Sequence, residues 1–342
     1  VGRGIVLDSV AFPYPRPEHA DDYALIYTAR STFNVETLVA TFAATAMWQQ
    51  WRAIEIEAAE RARVQSAWIL MGALDWSRLI LAEDASGGSA DHLAEPWAVP
   101  LEEARLSTFL AAERNVAQVD DASTDTTDAF LSGNIIDLQS RLNLMALTAS
   151  DADNEAHKEV QAQFSRLFSQ LGLPPGELSA LTQALRQAQG KDDANAPLLP
   201  QTLEQLTWLG ISPASVAALA PHATLLPERS TRLNLNTADA TALMAGIEGL
   251  DAAGANKLIA VRQLQHFRTL SDTRALLGEN VHIKEHLHGV SSNYFEVRGR
   301  LRLDDVTVYE RSLVRRFGRS VSTVWRQRGA VVLANAANTT AP

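Results

Sequence analysis

VETLVATFAATAMWQQWRAIEIEAAERARVQSAWILMGALDWSRLILAED, residues 35–84, contains a single glycine, Gly72, and no proline. Ala, Glu, Arg, Gln, Leu and Met dominate it, residues that lose little on entering a helix. The stretch therefore predicts one helix of up to fifty residues. Trp48, Trp51, Ile54, Ala58, Val64, Trp68, Met71 and Leu74 recur at threes and fours, while Arg52, Glu55, Glu57, Glu60, Arg61 and Arg63 fill other faces. The C-terminal half should pack onto a core. Trp48, Trp51, Ile54, Ala58, Val64, Trp68 and Met71 form a candidate face for packing against partner helices. A long helix in an ordinary helical domain would carry the same periodicity.

A membrane-spanning helix needs about 20 consecutive apolar residues. The best run, Leu38 to Trp48, has eleven, including Thr41 and Thr45, and Asn34 and Glu36 precede it. It is too short to span alone. Residues 1–34, with Pro13, Pro15, Pro17 and the polar run His19 to Asp22, read as an irregular lead. No basic start there runs into an apolar stretch with a small-residue cleavage site, as an ordinary cleavable signal would.

A chain of 342 residues exceeds one usual core and predicts two domains. With 46% hydrophobic and 20% charged residues, 18 Gly and 13 Pro, it is neither disordered, collagen-like nor a plain coiled coil. The 30 Lys and Arg against 40 Asp and Glu give a net charge of −10, which repels a polyanion on average. The absence of cysteine removes disulfides, thiolate metal sites and thiol nucleophiles.

Beyond the helix, residues 85–96 and 115–128 carry turn formers and read as loops. Phe130 to Leu147 alternates and is rich in aliphatic residues, which predicts a strand or two with Gly133 at a bend. After Ser150 the period changes. Short Ala- and Leu-rich segments near 155–171, 176–189, 201–209, 213–220, 238–245, 252–265 and 272–278 are punctuated by prolines and predict a small all-helical domain. From Val290 the chain alternates again over 291–303, 305–316 and 320–328, with turns at Asp304-Asp305 and Phe317 to Arg319, a three-stranded meander. The long helix is the economical cover for its apolar face. The boundaries so read are a polar segment 1–34, helix, loops and first strands 35–150, a helical insert 151–289, C-terminal strands 290–330 and a disordered tail 331–342.

A long N-terminal helix on an antiparallel sheet with a helical insert, an α+β arrangement, resembles the pilin and pseudopilin fold. The insert singles out the largest minor pseudopilin family of bacterial type II secretion, general secretion pathway protein K. Met47 to Arg52 (MWQQWR), Ala73 to Trp76 (ALDW), Glu95 to Ala98 (EPWA), Gly133 to Asp137 (GNIID), Gln139 to Asn143 (QSRLN), Asn234 to Ala238 (NLNTA) and Ser291 to Phe295 (SSNYF) carry the likeness, over about residues 36–330. The resemblance implies a non-enzymatic tip subunit of the pseudopilus without organic cofactor, nucleating and capping its assembly during protein export. It implies as partners the I- and J-type minor pseudopilins, then the H-type and the major pseudopilin, with the inner-membrane assembly platform. It places the chain in the bacterial inner membrane as a single-pass protein with its bulk in the periplasm. The sequence departs from the family at the start, where Arg3 to Leu7 faintly resembles the processing site but Asp8 onward is polar. Calcium is implied by the resemblance alone, and Gln183 to Asp193 (QALRQAQGKDD) lacks the acidic pattern that relatives often carry there.

Two motifs open other functions. Leu233 to Ala238 followed by Leu243, Gly246, Ile247, Gly249, Leu250, Ala255 and Arg262 is similar to a helix-hairpin-helix, which grips DNA phosphate through backbone N–H groups. Asp251 stands where the second turn glycine belongs, and its carboxylate would repel phosphate and cap the helix. The expectation is a structural hairpin and no nucleic-acid partner. His282 to His286 (HIKEH) spells the inverted zinc-peptidase motif, which requires both histidines on one helix. Gly278 and Gly289 leave barely two turns, so the expectation is a solvated short helix with His288 as another polar residue and no metal. Asp120, Asp121, Asp125, Asp128 and Asp151 to Asn154 lack the spacing of a calcium loop. Arg298, Arg300, Arg302, Arg315 and Arg316 alternate with apolar residues and read as the wet face of the meander. No phosphate loop or serine nucleophile elbow occurs.

Overall fold

A computed structural model of the chain describes residues 35–88, 90–107, 129–149, 155–189, 196–278, 280–303 and 306–329. Val35–Gly87 forms α1 without interruption over 53 residues. The chain divides into two compact units, Val1–Val64 and Gln65–Pro342, with the boundary inside this helix. The expectations for residues 1–34, the loop 115–128, the aspartates 120–128 and 151–154, the turn at Asp304-Asp305 and the tail from 331 lie outside the described residues.

In the second unit, Ser66, Leu70, Leu74, Ser77 and Leu81 of α1 are buried at spacings of four, four, three and four. That is one face of a helix. Past α1, a 3-10 turn at Pro96–Ala98 precedes β1 (Leu101–Arg105) and β2 (Ala129–Asp137). β1 is an element the sequence reading did not include. Its residues do not alternate, and its pairing with β2 shifts register between Leu101 and Ala104.

The strand expected over 130–147 stops at Asp137. The Asp137 side chain accepts a hydrogen bond from the backbone N–H of Gln139, and Asn143 does the same for Met145. These local acceptors wind Leu138–Ser140 and Leu144–Thr148 into 3-10 turns instead of strand, with only β3 (Leu142–Asn143) extended between them. Gly133 is not at a bend either. It sits mid-strand opposite Gly299, where a Cβ would lie 2.5 Å from the Arg298 carbonyl oxygen.

The helical region follows as α2 (Glu155–Gln170), α3 (Pro175–Ala188), a 3-10 helix Leu203–Leu209, α4 (Pro213–Leu219), β4 (Ala223–Thr224), β5 (Leu233–Asn234), α5 (Ala240–Gly246), α6 (Ala252–Leu264), α7 (Leu270–Arg274) and β6 (His288–Gly289). Pro175 and Pro213 open α3 and α4, where their missing N–H costs nothing. Leu144, Phe164, Leu181, Leu219, Leu243 and Leu258 belong to its continuous core. Two short parallel pairings, β3 with β4 and β5 with β6, each close one half of it.

β7 (Tyr294–Leu303), β8 (Val306–Phe317) and β9 (Ser320–Gly329) complete an antiparallel sheet of order β1-β2-β7-β8-β9. β2 and β7 pair over nine positions, from Ala129 with Leu303 to Asp137 with Phe295, although the whole helical region separates them in sequence. Gly318 takes φ +55° in the tight β8–β9 turn, where a side chain would be strained. The meander is thus the last three strands of a five-stranded sheet. Leu74 and Leu81 pack with Trp97, Phe295, Val297, Val314 and Val321 on one face of the sheet, and Leu70 packs with Leu131 and Leu301. Leu138, Leu226, Tyr294 and Leu313 form a small cluster that joins the sheet to the helical region.

Candidate partner-binding face

From Val39 to Gln65 of α1 every side chain except that of Ala62 is exposed. The exposed set includes Trp48, Trp51, Ile54, Ala58 and Val64, five of the seven residues expected to meet partner helices. Met47, Trp51, Ile54 and Ala58 recur at i, i+4, i+7 and i+11, which confines them to a strip about 60° wide on a helix of 3.6 residues per turn. Met47 is 71% exposed and Trp51 56%. Trp48 lies beside that strip, with the Arg52 guanidinium 4.8 Å from its ring centroid. Ile56, also exposed, falls on another side of the helix.

Within the second unit, Trp68 is 67% exposed although it stands two residues from buried Ser66 and two from buried Leu70. Two residues are about 200° of helix, so Trp68 points away from the sheet. Leu79 repeats the pattern between Ser77 and Leu81. Met71, the seventh expected residue, is half-buried. The sequence reading missed Met47 and Leu79. Their signal was the heptad spacing from Met47 and the two-residue offset of Leu79 from the buried leucines.

The second feature of interest is the buried polar joint between the sheet and the helical region. Asp137, at the end of β2, accepts hydrogen bonds from Thr237 Oγ1 at 2.6 Å, Ser292 Oγ at 2.7 Å, Asn234 Nδ2 at 3.1 Å and the Gln139 N–H at 2.7 Å. Burial pushes its carboxyl up to about 6 against the pull of those donors. Asn234 also donates to the Asp91 carbonyl at 3.2 Å. Arg316 donates to Asp91, to Asp84 at 2.8 Å and to the Ser292 carbonyl at 2.8 Å. Arg316 is therefore buried, not part of the wet face expected for it. It is the charge partner of two carboxylates that only the fold brings together.

Asp84, Asp91 and Glu95 are the one group of three potential metal ligands found together among the described residues. Arg316 already supplies positive charge to two of them. Glu95 accepts from the His92 N–H at 2.9 Å and Trp97 Nε1 at 2.7 Å, and burial pushes it up to about 7. The group is built as an arginine salt bridge beside a carboxyl whose hold on a proton is strengthened by burial.

The H-x-x-E-H motif forms no helix. His282 makes an isolated bridge with Glu248, and residues 285–287 turn. His286 bonds Glu159 at 2.6 Å, Glu285 faces Arg274 at 3.4 Å, and Lys284 bonds both Glu159 and Glu248. The expected short helix and the exposed His288 are both corrected. His288 is buried, accepts at Nδ1 from the Lys284 N–H at 2.9 Å, and donates from Nε2 to the Gly246 carbonyl at 3.2 Å. Burial lowers it to about 4, so it packs as a neutral ring. At the hairpin, Asp251 Oδ1 accepts from the Gly254 N–H at 2.7 Å, so the carboxylate occupies the helix start that a phosphate would need. Gly249 takes φ +79° with its backbone close against Asn280.

Two family models match the chain, both described as type II secretion system protein K, over residues 140–228 and 233–287. Among solved structures, the chain is similar to one in the crystal structure of the GspK-GspI-GspJ complex from the type 2 secretion system of enterotoxigenic Escherichia coli. That likeness has a TM-score of 0.60 at 18% identity and covers 82% of this chain and 100% of the other. A search of curated proteins finds no match.

Proposed function

The chain belongs to the type II secretion protein K family of minor pseudopilins, and from that premise we propose that it sits at the tip of a periplasmic pseudopilus, nucleating and capping its assembly. Protein K is a structural family, and the role is one of assembly without catalysis. The observation that carries the proposal is the exposed apolar strip of α1, Met47, Trp51, Ile54 and Ala58, together with Trp68. Aromatic side chains left in water over several turns are the residues that dominate interfaces once covered. Their heptad spacing suits a neighbouring helix. The similar structure is a complex with GspI and GspJ, which supports I- and J-type minor pseudopilins as the partners here, with the H-type, the major pseudopilin and the assembly platform following.

Capping rests on the helical region between β2 and β7. It is anchored to the sheet by the Asp137 network, in which Thr237 and Asn234 of the helical region bond the end of β2, so it would be carried as a fixed bulk and obstruct further subunits. The proposed site of action is the inner membrane with the bulk in the periplasm; among the described residues no helix is long and apolar enough to cross a membrane. The test is co-purification of the full chain with its I- and J-type pseudopilins. A stable complex that is lost on Trp51→Glu or Trp68→Glu supports the role, and a chain that stays monomeric beside them contradicts it.

A further inference from the structure

A cavity of about 250 Å³ lies between α1 and the sheet, walled by Leu70, Leu74 and Ile80 of α1, by Trp97 and by Val297. Its floor is bare. Gly133 and Gly299 stand opposite each other on β2 and β7, and a Cβ on Gly299 would lie 3.0 Å from Leu70 Cδ2, so this row of the sheet faces α1 with backbone alone. The floor cannot be raised at Gly133, where a Cβ would lie 2.5 Å from the Arg298 carbonyl oxygen. The void is therefore set by the backbone of the two central strands.

One free polar group interrupts the apolar lining. Ser312 of β8 lines the cavity and is 1% exposed, and among the described residues its hydroxyl has no hydrogen-bond partner. The hydroxyl is not sealed off. The described buried side-chain atoms that lack both a partner and accessible surface are His157 Nδ1, Glu177 Oε2 and Arg326 Nη2. The other polar groups on this face are committed: Glu310 is paired with Arg326 and Arg328, and Ser77 donates to the Ala73 carbonyl at 2.8 Å. Ser132, Asn134 and Arg298 alternate with the floor residues along their strands and turn their side chains to the opposite face.

The bare floor and the hydroxyl are within reach of one molecule. Gly299 stands opposite Glu310, and Ser312 follows two residues later on the same face, which makes Ser312 the diagonal cross-strand neighbour of Gly299. Such neighbours are about 7–8 Å apart, a span that a bicyclic ring covers. A buried hydroxyl without a partner is unfavourable, and so is an unfilled apolar void. Apolar cavities stay dry, and one of about 150 Å³ takes up benzene.

We propose that this cavity binds a small neutral aromatic molecule of about the size of indole, its ring on the glycine floor between the apolar walls and its hydrogen-bonding group on the Ser312 hydroxyl. The volume falls below the range of about 300 to 1,000 Å³ that drug-sized ligands occupy, which limits the ligand to one or two rings. Glu310 at the edge is neutralised by two arginines, so nothing there selects a charged ligand. The site lies wholly within the second unit and is independent of the assembly role. The test is titration calorimetry of the full chain with indole and with indene, its hydrocarbon isostere without the N–H. Indole binds saturably at one site and about fivefold more tightly than indene, as one hydrogen bond allows. Ser312→Ala brings indole down to the affinity of indene and leaves indene unchanged. Ala73→Leu, which fills the cavity from α1, weakens both by about tenfold or more. Since Ala73→Leu could disturb the packing, the methyl resonances of Leu70 and Val297 in the unaltered protein give a further reading, and they shift on adding indole. No saturable binding, indole affinity unchanged in Ala73→Leu, an equal response of indole and indene to Ser312→Ala, or unmoved Leu70 and Val297 signals would each overturn the site.

Discussion

The two halves of α1 are made of similar residues and meet opposite fates. Between Ser66 and Leu81 every third or fourth side chain is buried against the sheet. Between Val39 and Gln65 the tryptophans, isoleucines and methionine stand in solvent. Composition does not separate these halves; what separates them is whether the chain itself supplies a covering surface. An apolar face that its own fold leaves uncovered calls for another molecule.

The largest effect expected from breaking that contrast is on assembly. Trp51→Glu combined with Trp68→Glu should weaken the complex with I- and J-type pseudopilins by about 100-fold or more, as loss of interface tryptophans does. The melting temperature of the isolated chain should stay nearly unchanged, since both side chains are exposed. A matching loss of stability would erase the contrast.

Leu81→Ala, on the buried half, should do the reverse. Its side chain is fully buried against Trp97 and Phe295, and truncation should cost about 3 kcal/mol in urea unfolding. Complex formation, measured where the variant is still folded, should be retained.

The next effect concerns the joint. Asp137 is pushed up to about 6 from a usual 3.8, so the folded chain holds a proton that the unfolded chain releases. Its contribution is complete below the unfolded value and is lost as pH rises through about 6. Glu95, raised to about 7, acts in the same direction, whereas His288, lowered to about 4, costs stability as pH falls below its ordinary 6.5. Comparison with Asp137→Asn isolates the first group. The unaltered chain should gain about 2 kcal/mol relative to this variant between pH 7 and pH 4. Parallel stability curves for the two proteins would contradict it.

The smallest effect is at the peptidase-like motif. His282→Ala should change stability by less than about 0.5 kcal/mol, as surface substitutions do. Neither protein should retain stoichiometric zinc after dialysis, and zinc bound by the parent alone would reverse the reading.

Much of this was legible in the residues. The helix, the short helical segments and the three C-terminal strands follow from Gly and Pro placement and from hydrophobic period. β1 was not legible, because Leu101 to Arg105 has no alternation and is defined by its partner strand. The strand end at Asp137 was hidden because its cause is a side chain competing with the ladder. Arg316 looked like one more alternating arginine, and only the pairing of β7 with β8 sets it beside Asp84 and Asp91. His288 was likewise illegible, since burial is not a property of the local sequence. On α1, spacing located Trp51 and Ile54, but the separation of exposed Trp68 from buried Leu70 needed the sheet.

Hydrogen exchange along α1, in the full chain alone and with the I- and J-type pseudopilins proposed as its partners, reads directly whether the exposed half of the helix is covered on assembly. Amides between residues 39 and 68 should gain strong protection in the complex while those between 70 and 81 change little. Protection confined to the helical region or the sheet, with residues 39–68 exchanging as before, would contradict it.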